Sequence, residues 1–299
     1  MQPIRVACVR YLNTAPLVEG LDRLEGLTMI PAVPADIAPM VRSGDADLGL
    51  ASIVDATAGS GAEALSIVPA GMIGCEGPTL TVRLFSSVPM DRISQVCADA
   101  DSHTSVALAR VLLAEMHGVR ASFVPFNGLE RVALGGADVR QDDEGWPETL
   151  LLIGDKVVTH SPPAVRYPHQ LDLGEAWKAL TDLPFVYASW MCRASMLEDA
   201  EDRRRIGLAA AMLDRQRRHN ATRLDWLVQQ WAPKARWPVD LASRYIGELL
   251  RYELGPRERE SIVRFFGLCA EHGVVDGPAP VFADVFRPSA VPAAGAEGA

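Results

Sequence analysis

Ile4-Arg5-Val6-Ala7-Cys8-Val9-Arg10-Tyr11-Leu12-Asn13-Thr14-Ala15-Pro16-Leu17 sets an apolar run, a polar loop and a helix start in direct succession. Residues 4–9, apolar except for Arg5, have the character of a buried strand. Pro16 suits the first turn of a helix over 14–24, where a missing N–H removes no helical bond. Strand, loop and helix make the opening of a βα unit, and the same alternation continues outward from it.

Strand-like segments follow at 27–32, 48–51, 65–69 and 79–86. A helix over 36–43 stops at Gly44, a residue suited to the left-handed position beyond a helix end. A second set begins with a strand at 95–98 and an apolar-periodic helix at 104–116. Strands at 122–125 and 150–153 follow, the latter after a polar loop around 138–147, then a helix at 173–180 and a strand at 185–190. From residue 199 the pattern turns helical, with segments at 199–219, 221–231, 239–252 and 256–272. No internal repeat is visible.

This order predicts an α/β protein with mainly parallel sheets and two lobes joined by two crossings, near 86–89 and 183–186. Lobe I is expected to comprise residues 1–87 and 186–276, and lobe II residues 88–185. The segment 277–299, rich in Pro, Ala and Gly, is expected to be a disordered tail. Two lobes linked in this way leave a central cleft, and in open α/β sheets ligands lie beyond the carboxyl ends of strands.

The formal net charge of −9 argues against a nucleic-acid partner, which requires a dense basic face. No apolar run approaches the length of a membrane span. The chain opens directly into a strand with no signal-peptide pattern, so a cytoplasmic location is expected. Cys8, Cys75, Cys97, Cys192 and Cys269 are scattered without a CxxC pair, and the histidines lack ligand spacing. Small core residues are expected rather than disulfides, and no metal is expected.

Five loops after strands carry the polar groups. Asn13 either caps the first helix or turns its amide into the cleft. Ser52 ends a strand and either presents its hydroxyl to a ligand or caps the next turn. Gly77 lets the main chain approach a ligand, Pro78 stiffens the turn, and Thr79 and Thr81 share one face of a strand, as ordinary strand residues also would. Ser102, Thr104 and Ser105 place hydroxyls beside the unpaired N–H groups of a helix start, an arrangement that suits a carboxylate or phosphate and equally a simple cap. Asp99 and Asp101 beside them oppose an anion. Asp155 follows Gly154 at a strand end and is either a cleft acid or base, or the partner of Lys156 or a main-chain amide. None of these loops is a nucleophile elbow, a P-loop or a dinucleotide fingerprint.

Together they resemble a known family. Val9-Arg10-Tyr11-Leu12-Asn13-Thr14-Ala15-Pro16-Leu17 is similar to the opening motif of the MqnA family, the chorismate dehydratases of the futalosine route to menaquinone. Gly77-Pro78 with Val82-Arg83-Leu84-Phe85-Ser86 resembles its next motif, and Asp101-Ser102-His103-Thr104-Ser105-Val106-Ala107-Leu108 its Ser-Arg-Thr-Ser segment. Leu151-Leu152-Ile153-Gly154-Asp155-Lys156, Asp172-Leu173-Gly174-Glu175-Ala176-Trp177 and Leu183-Pro184-Phe185-Val186-Tyr187-Ala188-Ser189-Trp190 complete the series in order. The resemblance implies the two-lobed fold of class II periplasmic binding proteins and loss of water from chorismate to give 3-[(1-carboxyvinyl)oxy]benzoate, a carbon–oxygen lyase reaction. It implies no cofactor and a small anionic substrate, with no membrane partner. It leaves the oligomeric state undefined.

Asn13, Thr81 and Asp155 are then the expected catalytic groups, and Arg10, Ser52, Gly77, Thr79, Ser102, Thr104 and Ser105 the expected substrate contacts. The chain departs from the family in having Arg10 for a usual Ser, Ala51 for a frequent Pro, His103 for a usual Arg, and Thr81 for a common Ser. Competing readings are a solute-binding or sensor protein of the same shape, or a relative such as 1,4-dihydroxy-6-naphthoate synthase. That relative usually opens with a Ser-Pro-Cys-Pro-Asn-Asp-like segment, where this chain has Arg10-Tyr11-Leu12-Asn13.

Overall fold

The chain begins with β1 (Ile4–Cys8), and its computed structural model describes residues 2–57, 63–99, 103–127, 132–133, 146–159, 161–275, 277 and 279–285. After β1 come α1 (Ala15–Val18), β2 (Leu27–Pro31), α2 (Pro34–Ser43), β3 (Leu48–Ser52) and β4 (Leu65–Cys75). The expected helix over 14–24 is only this short α1. Gly20, in the left-handed region at φ 84°, ends it and leads into a 3-10 turn at Leu21–Arg23. By contrast α2 has its expected ending, with Gly44 at φ 85° returning its N–H to the Val41 carbonyl.

β4 runs for 11 residues, well beyond the expected 65–69, and is buried along almost its whole length. The chain then crosses to a second sheet made of β5 (Val82–Ser86), β6 (Gln95–Asp99), β7 (Ser122–Asn127), β8 (Val132–Ala133), β9 (Thr149–Ile153) and β10 (His169–Asp172). Helices α3 (His103–His117), α4 (Lys156–Thr159) and α5 (Leu173–Thr181) accompany it. The chain returns through β11 (Phe185–Arg193) and continues with α6 (Ala200–Ala221), α7 (Leu224–Ala235), α8 (Val239–Arg244), β12 (Leu250–Arg251), α9 (Pro256–Glu271) and β13 (Val281–Phe282).

The first sheet has the order β12-β4-β11-β3-β1-β2, with β13 also paired to β4. The second has the order β10-β5-β9-β6-β7-β8. Both are mixed rather than mainly parallel. In the first, β1 is parallel to β2 and β3, but β11 is antiparallel to β3 and β4. In the second, β6 is parallel to β7 and β9, but β5 is antiparallel to β9 and β10. The cause is the double crossing. The strand that leaves a lobe and the strand that returns to it lie side by side, as β4 and β11 do, and so run in opposite directions.

The return into β11 falls where the pattern predicts, near 183–186, whereas the outward crossing lies elsewhere. The segment 82–86, expected in lobe I, is β5 of the second sheet, and the outward crossing is 76–81. Gly77 at φ 115° and Leu80 at φ 68° turn the chain there, so Thr79 and Thr81 are not on one strand. The chain beyond 277 also differs from expectation, because β13 adds to β4 in parallel and Ala283 N–H reaches the Ile67 carbonyl at 2.8 Å. An apolar pair beside an open stretch of sheet gains main-chain bonds that composition does not reveal. Residues 286–299 lie outside the described residues. The run expected as one helix over 239–252 is divided into α8, a π-helical turn at Tyr245–Leu249, and β12.

Two capped helices explain how the later elements are set. Asp199 caps α6 by accepting from Glu201 and Asp202 N–H, each at 2.9 Å. Asp172 caps α5 in the same manner, from Gly174 and Glu175 N–H at 3.1 and 3.2 Å. Behind α5, Trp177 packs edge-on against Phe185 and Phe265, with ring centroids 5.3 and 5.9 Å apart. The five cysteines are all buried, and burial pushes the Cys75 and Cys192 thiols up to about 12. Among the described residues, no helix is long and apolar enough to cross a membrane.

Candidate active site

A cavity of about 260 Å³ opens where the carboxyl ends of β1, β3 and β9 meet the outward crossing. That volume is near the lower end for a small-molecule site, about 300 Å³. Its wall is largely apolar, from Val9, Pro34, Ile37, Leu50, Ile73, Val82, Ile153 and Leu250. The polar groups set into it include Asn13, Ser52, Thr79, Thr81, Ser105 and Asp155, six of the residues expected from the sequence.

Asn13 sits in a 3-10 turn at Leu12–Thr14 and does not cap a helix. Thr14 makes the local bonds instead: its Oγ1 accepts from Tyr11 N–H at 3.2 Å and donates to the Tyr11 carbonyl at 2.8 Å. The Asn13 carboxamide is left to the cavity, and its Oδ1 is buried without a hydrogen-bond partner among the described residues. A buried acceptor in that state costs about 1–3 kcal/mol until something donates to it. Ser52 follows the same rule, because it precedes the 3-10 turn at Ile53–Ala56 with no side-chain capping bond.

Thr79 and Thr81 are both buried, and Thr79 Oγ1 accepts from Thr81 N–H at 3.3 Å. Thr81 Oγ1 lies 2.7 Å from the Tyr245 hydroxyl. Tyr245 stacks on Trp237, with centroids 4.9 Å apart and planes 20° from parallel. Trp237 Nε1–H donates to Asp155 Oδ1 at 3.0 Å. Burial raises the Asp155 carboxyl above its ordinary range, and this one hydrogen bond opposes the rise. Asp155 is therefore not the partner of Lys156, whose Nζ donates to buried Asp99 Oδ2 at 2.7 Å.

Other expected residues lie away from the cavity wall. Arg10 is half exposed and faces Asp22 at 3.5 Å, because its side chain points off the loop toward solvent. Gly77 bends the crossing but does not line the cavity. The close approach is made by Gly174, where a Cβ would fall against Cys75 Sγ, the Gly77 carbonyl oxygen and Thr79 Cγ2. Thr104 Oγ1 donates to the Tyr187 carbonyl at 3.0 Å, which fastens α3 to β11. Ser102 lies outside the described residues. His103 faces Asp55 at 3.4 Å in a separate opening shared with Arg110, and the bond to Asp55 raises its pKa.

Sequence reading missed Tyr245 and Trp237, and it noted Tyr187 only within a longer motif. Tyr187, Tyr245 and Lys156 line the cavity, and burial holds both phenols protonated well above neutral pH. Trp237 and Tyr245 fall in the C-terminal helical run, where nothing in the spacing separates a cavity aromatic from a core one. The π-helical turn at Tyr245 marks the site only in three dimensions.

The architecture is that of the periplasmic-binding-protein fold. The Candida albicans protein CA3427, described as having the generic periplasmic binding protein structural fold, superposes with a TM-score of 0.63 at 11% identity, covering 93% of this chain and 92% of that one. The periplasmic aliphatic sulphonate binding protein SsuA from Escherichia coli gives a TM-score of 0.58 at 12% identity over 100% of this chain and 96% of its own. A sequence model of the menaquinone biosynthesis family matches residues 4–271, and the chain belongs to that family. A chorismate dehydratase from Thermus thermophilus is 30% identical over 228 residues, which span 70% of this chain and 79% of that protein.

Proposed function

We propose that this protein is a lyase that removes water from chorismate to give 3-[(1-carboxyvinyl)oxy]benzoate. The observation that carries the reading is the buried Asn13 Oδ1, unpartnered among the described residues, in an apolar cavity that also holds the Ser52, Thr79 and Thr81 side chains. It asks for a ligand that donates a hydrogen, and chorismate carries one hydroxyl on its ring. The family and the chorismate dehydratase relative support the same substrate.

In the reaction the C–H bond at the ether-bearing ring carbon breaks. Its electrons form the ring double bond as the neighbouring C–O bond breaks, and hydroxide leaves with the proton as water. Aromatisation drives the step, so orientation does most of the work. Asn13, uncharged at neutral pH, holds the substrate hydroxyl rather than acting as a base. Ser105, at the start of α3, lies where a helix N-terminus favours a substrate carboxylate. The proton passes to a carboxylate of the substrate itself, and Asp155 is the competing acceptor on the protein. An Asp155→Asn variant with full turnover removes Asp155 from that role.

Incubating the purified protein with chorismate and following the benzoate product by mass spectrometry tests the reading. Product formation supports it. Binding of chorismate without turnover overturns it in favour of a solute-binding or sensor role.

A further inference from the structure

We propose that Tyr245 is a positioning residue of this cavity, fixing the Thr81 hydroxyl so that the pair directs one O–H hydrogen at an oxygen of the bound acid. The inference rests on the dehydratase reading and extends it to a residue outside the motifs that suggested it. Thr81 and Tyr245 are 3% and 2% exposed, so neither hydroxyl can rely on bulk water. Their oxygens are 2.7 Å apart, and either can be the donor.

The hydrogen count gives the consequence. Two hydroxyls carry two hydrogens, and one is consumed between them. Whichever way that bond runs, one O–H remains, and both side chains line the same cavity. A buried O–H without an acceptor is costly, so a ligand oxygen is its natural partner. Burial keeps the Tyr245 phenol protonated, which preserves the count at neutral pH.

The surroundings hold the pair in one geometry. Tyr245 opens the π-helical turn at Tyr245–Leu249, which departs from the α8 geometry just before it. Its ring is stacked on Trp237, and the Trp237 N–H is in turn bound to Asp155. Thr81 and Asp155 flank the second sheet, whereas Tyr245 and Trp237 come from the helical segment that follows the return to the first, Trp237 from the loop between α7 and α8. The hydroxyl pair thus bridges the two lobes, and its direction depends on how they meet.

The test is a double-mutant cycle on the full chain, with turnover of chorismate as the readout. Tyr245→Phe keeps the ring and its stacking, so its melting temperature should stay close to that of the parent. Its kcat should fall roughly 10- to 100-fold with a smaller change in KM, the size expected when the Thr81 donor survives but loses its fixed direction. Thr81→Val should fall similarly, and Tyr245→Phe should add little further loss in the Thr81→Val background, whereas Thr81→Ser should retain the Tyr245 effect. Unchanged turnover in Tyr245→Phe, or additive losses in the double variant, overturns the inference alone. Absence of turnover by the parent protein overturns the dehydratase reading, and this inference with it.

Discussion

Asp172 Oδ1 accepts the main-chain N–H of Thr79 at 2.9 Å, a bond across 93 residues of sequence that ties the outward crossing to the junction of β10 and α5. The same carboxylate takes Leu80 N–H at 2.8 Å and caps α5, with Arg83 at 3.5 Å. One buried acid thus holds the turn at Leu80, where φ is 68°, and sets Thr79 and Thr81 against the cavity. Charge-assisted bonds to N–H groups are the stronger kind, and here several converge on one group.

Asp172→Asn should therefore destabilise the protein by about 3 kcal/mol, because an amide NH₂ would face main-chain donors and leave at least one unsatisfied. The midpoint of urea unfolding measures this. A midpoint within experimental error of the parent would show that the outward crossing does not depend on the carboxylate.

Gly174 lies beside that anchor. Gly174→Ala should cost about 1–3 kcal/mol, since the new methyl meets Cys75, the Gly77 carbonyl and Thr79 with no open side to move into. Gly267→Ala is the matched control. It lies within α9, where an added Cβ would have nothing within 4 Å, and should stabilise by about 0.5–1 kcal/mol. Equal effects in thermal unfolding would argue against close packing at Gly174.

Asn13→Ala should separate stability from activity. The variant deletes a buried acceptor that has no partner among the described residues, so its unfolding free energy should match or exceed that of the parent. Turnover of chorismate should fall on the order of 100-fold, as for other lost groups that hold a reacting oxygen. Loss of stability with retained turnover would assign Asn13 to the scaffold.

For Asp155 the direction with pH follows from its raised carboxyl. The folded state binds the proton more tightly than the unfolded chain, whose carboxyl has the ordinary value of 3.8. Stability is therefore lost as pH rises from that value through the folded one, and the penalty persists at neutral pH. Asp155→Asn keeps an oxygen for the Trp237 N–H and removes the penalty. It should be at least as stable as the parent at neutral pH, with its advantage vanishing below pH 3.8. Denaturant unfolding at the two pH values decides it, and an Asn variant that is weaker only at neutral pH would reverse the sign.

Local pattern made much of the scaffold readable. The apolar run of β1 and Gly44 after α2 act through near neighbours, and the structure has them where the sequence predicts them. Cavity residues in loops after strands, such as Asn13, Ser52 and Asp155, were readable because strand ends in open α/β sheets converge on one edge. The directions of side chains were not. Arg10 follows β1 in the same loop as Asn13, yet it pairs with Asp22 in solvent.

The sequence by itself determined the α/β alternation, the two-lobed plan and the family, because these reside in hydrophobic period and motif order along the chain. Only the tertiary structure decided which strands belong to which sheet, that β5 pairs with β9 and β10, and that Tyr245 and Trp237 meet Thr81 and Asp155. Those contacts join residues as far as 164 positions apart. They depend on how the chain turns, at Leu80 and around Asp172, and no local preference encodes where a chain so turned will arrive.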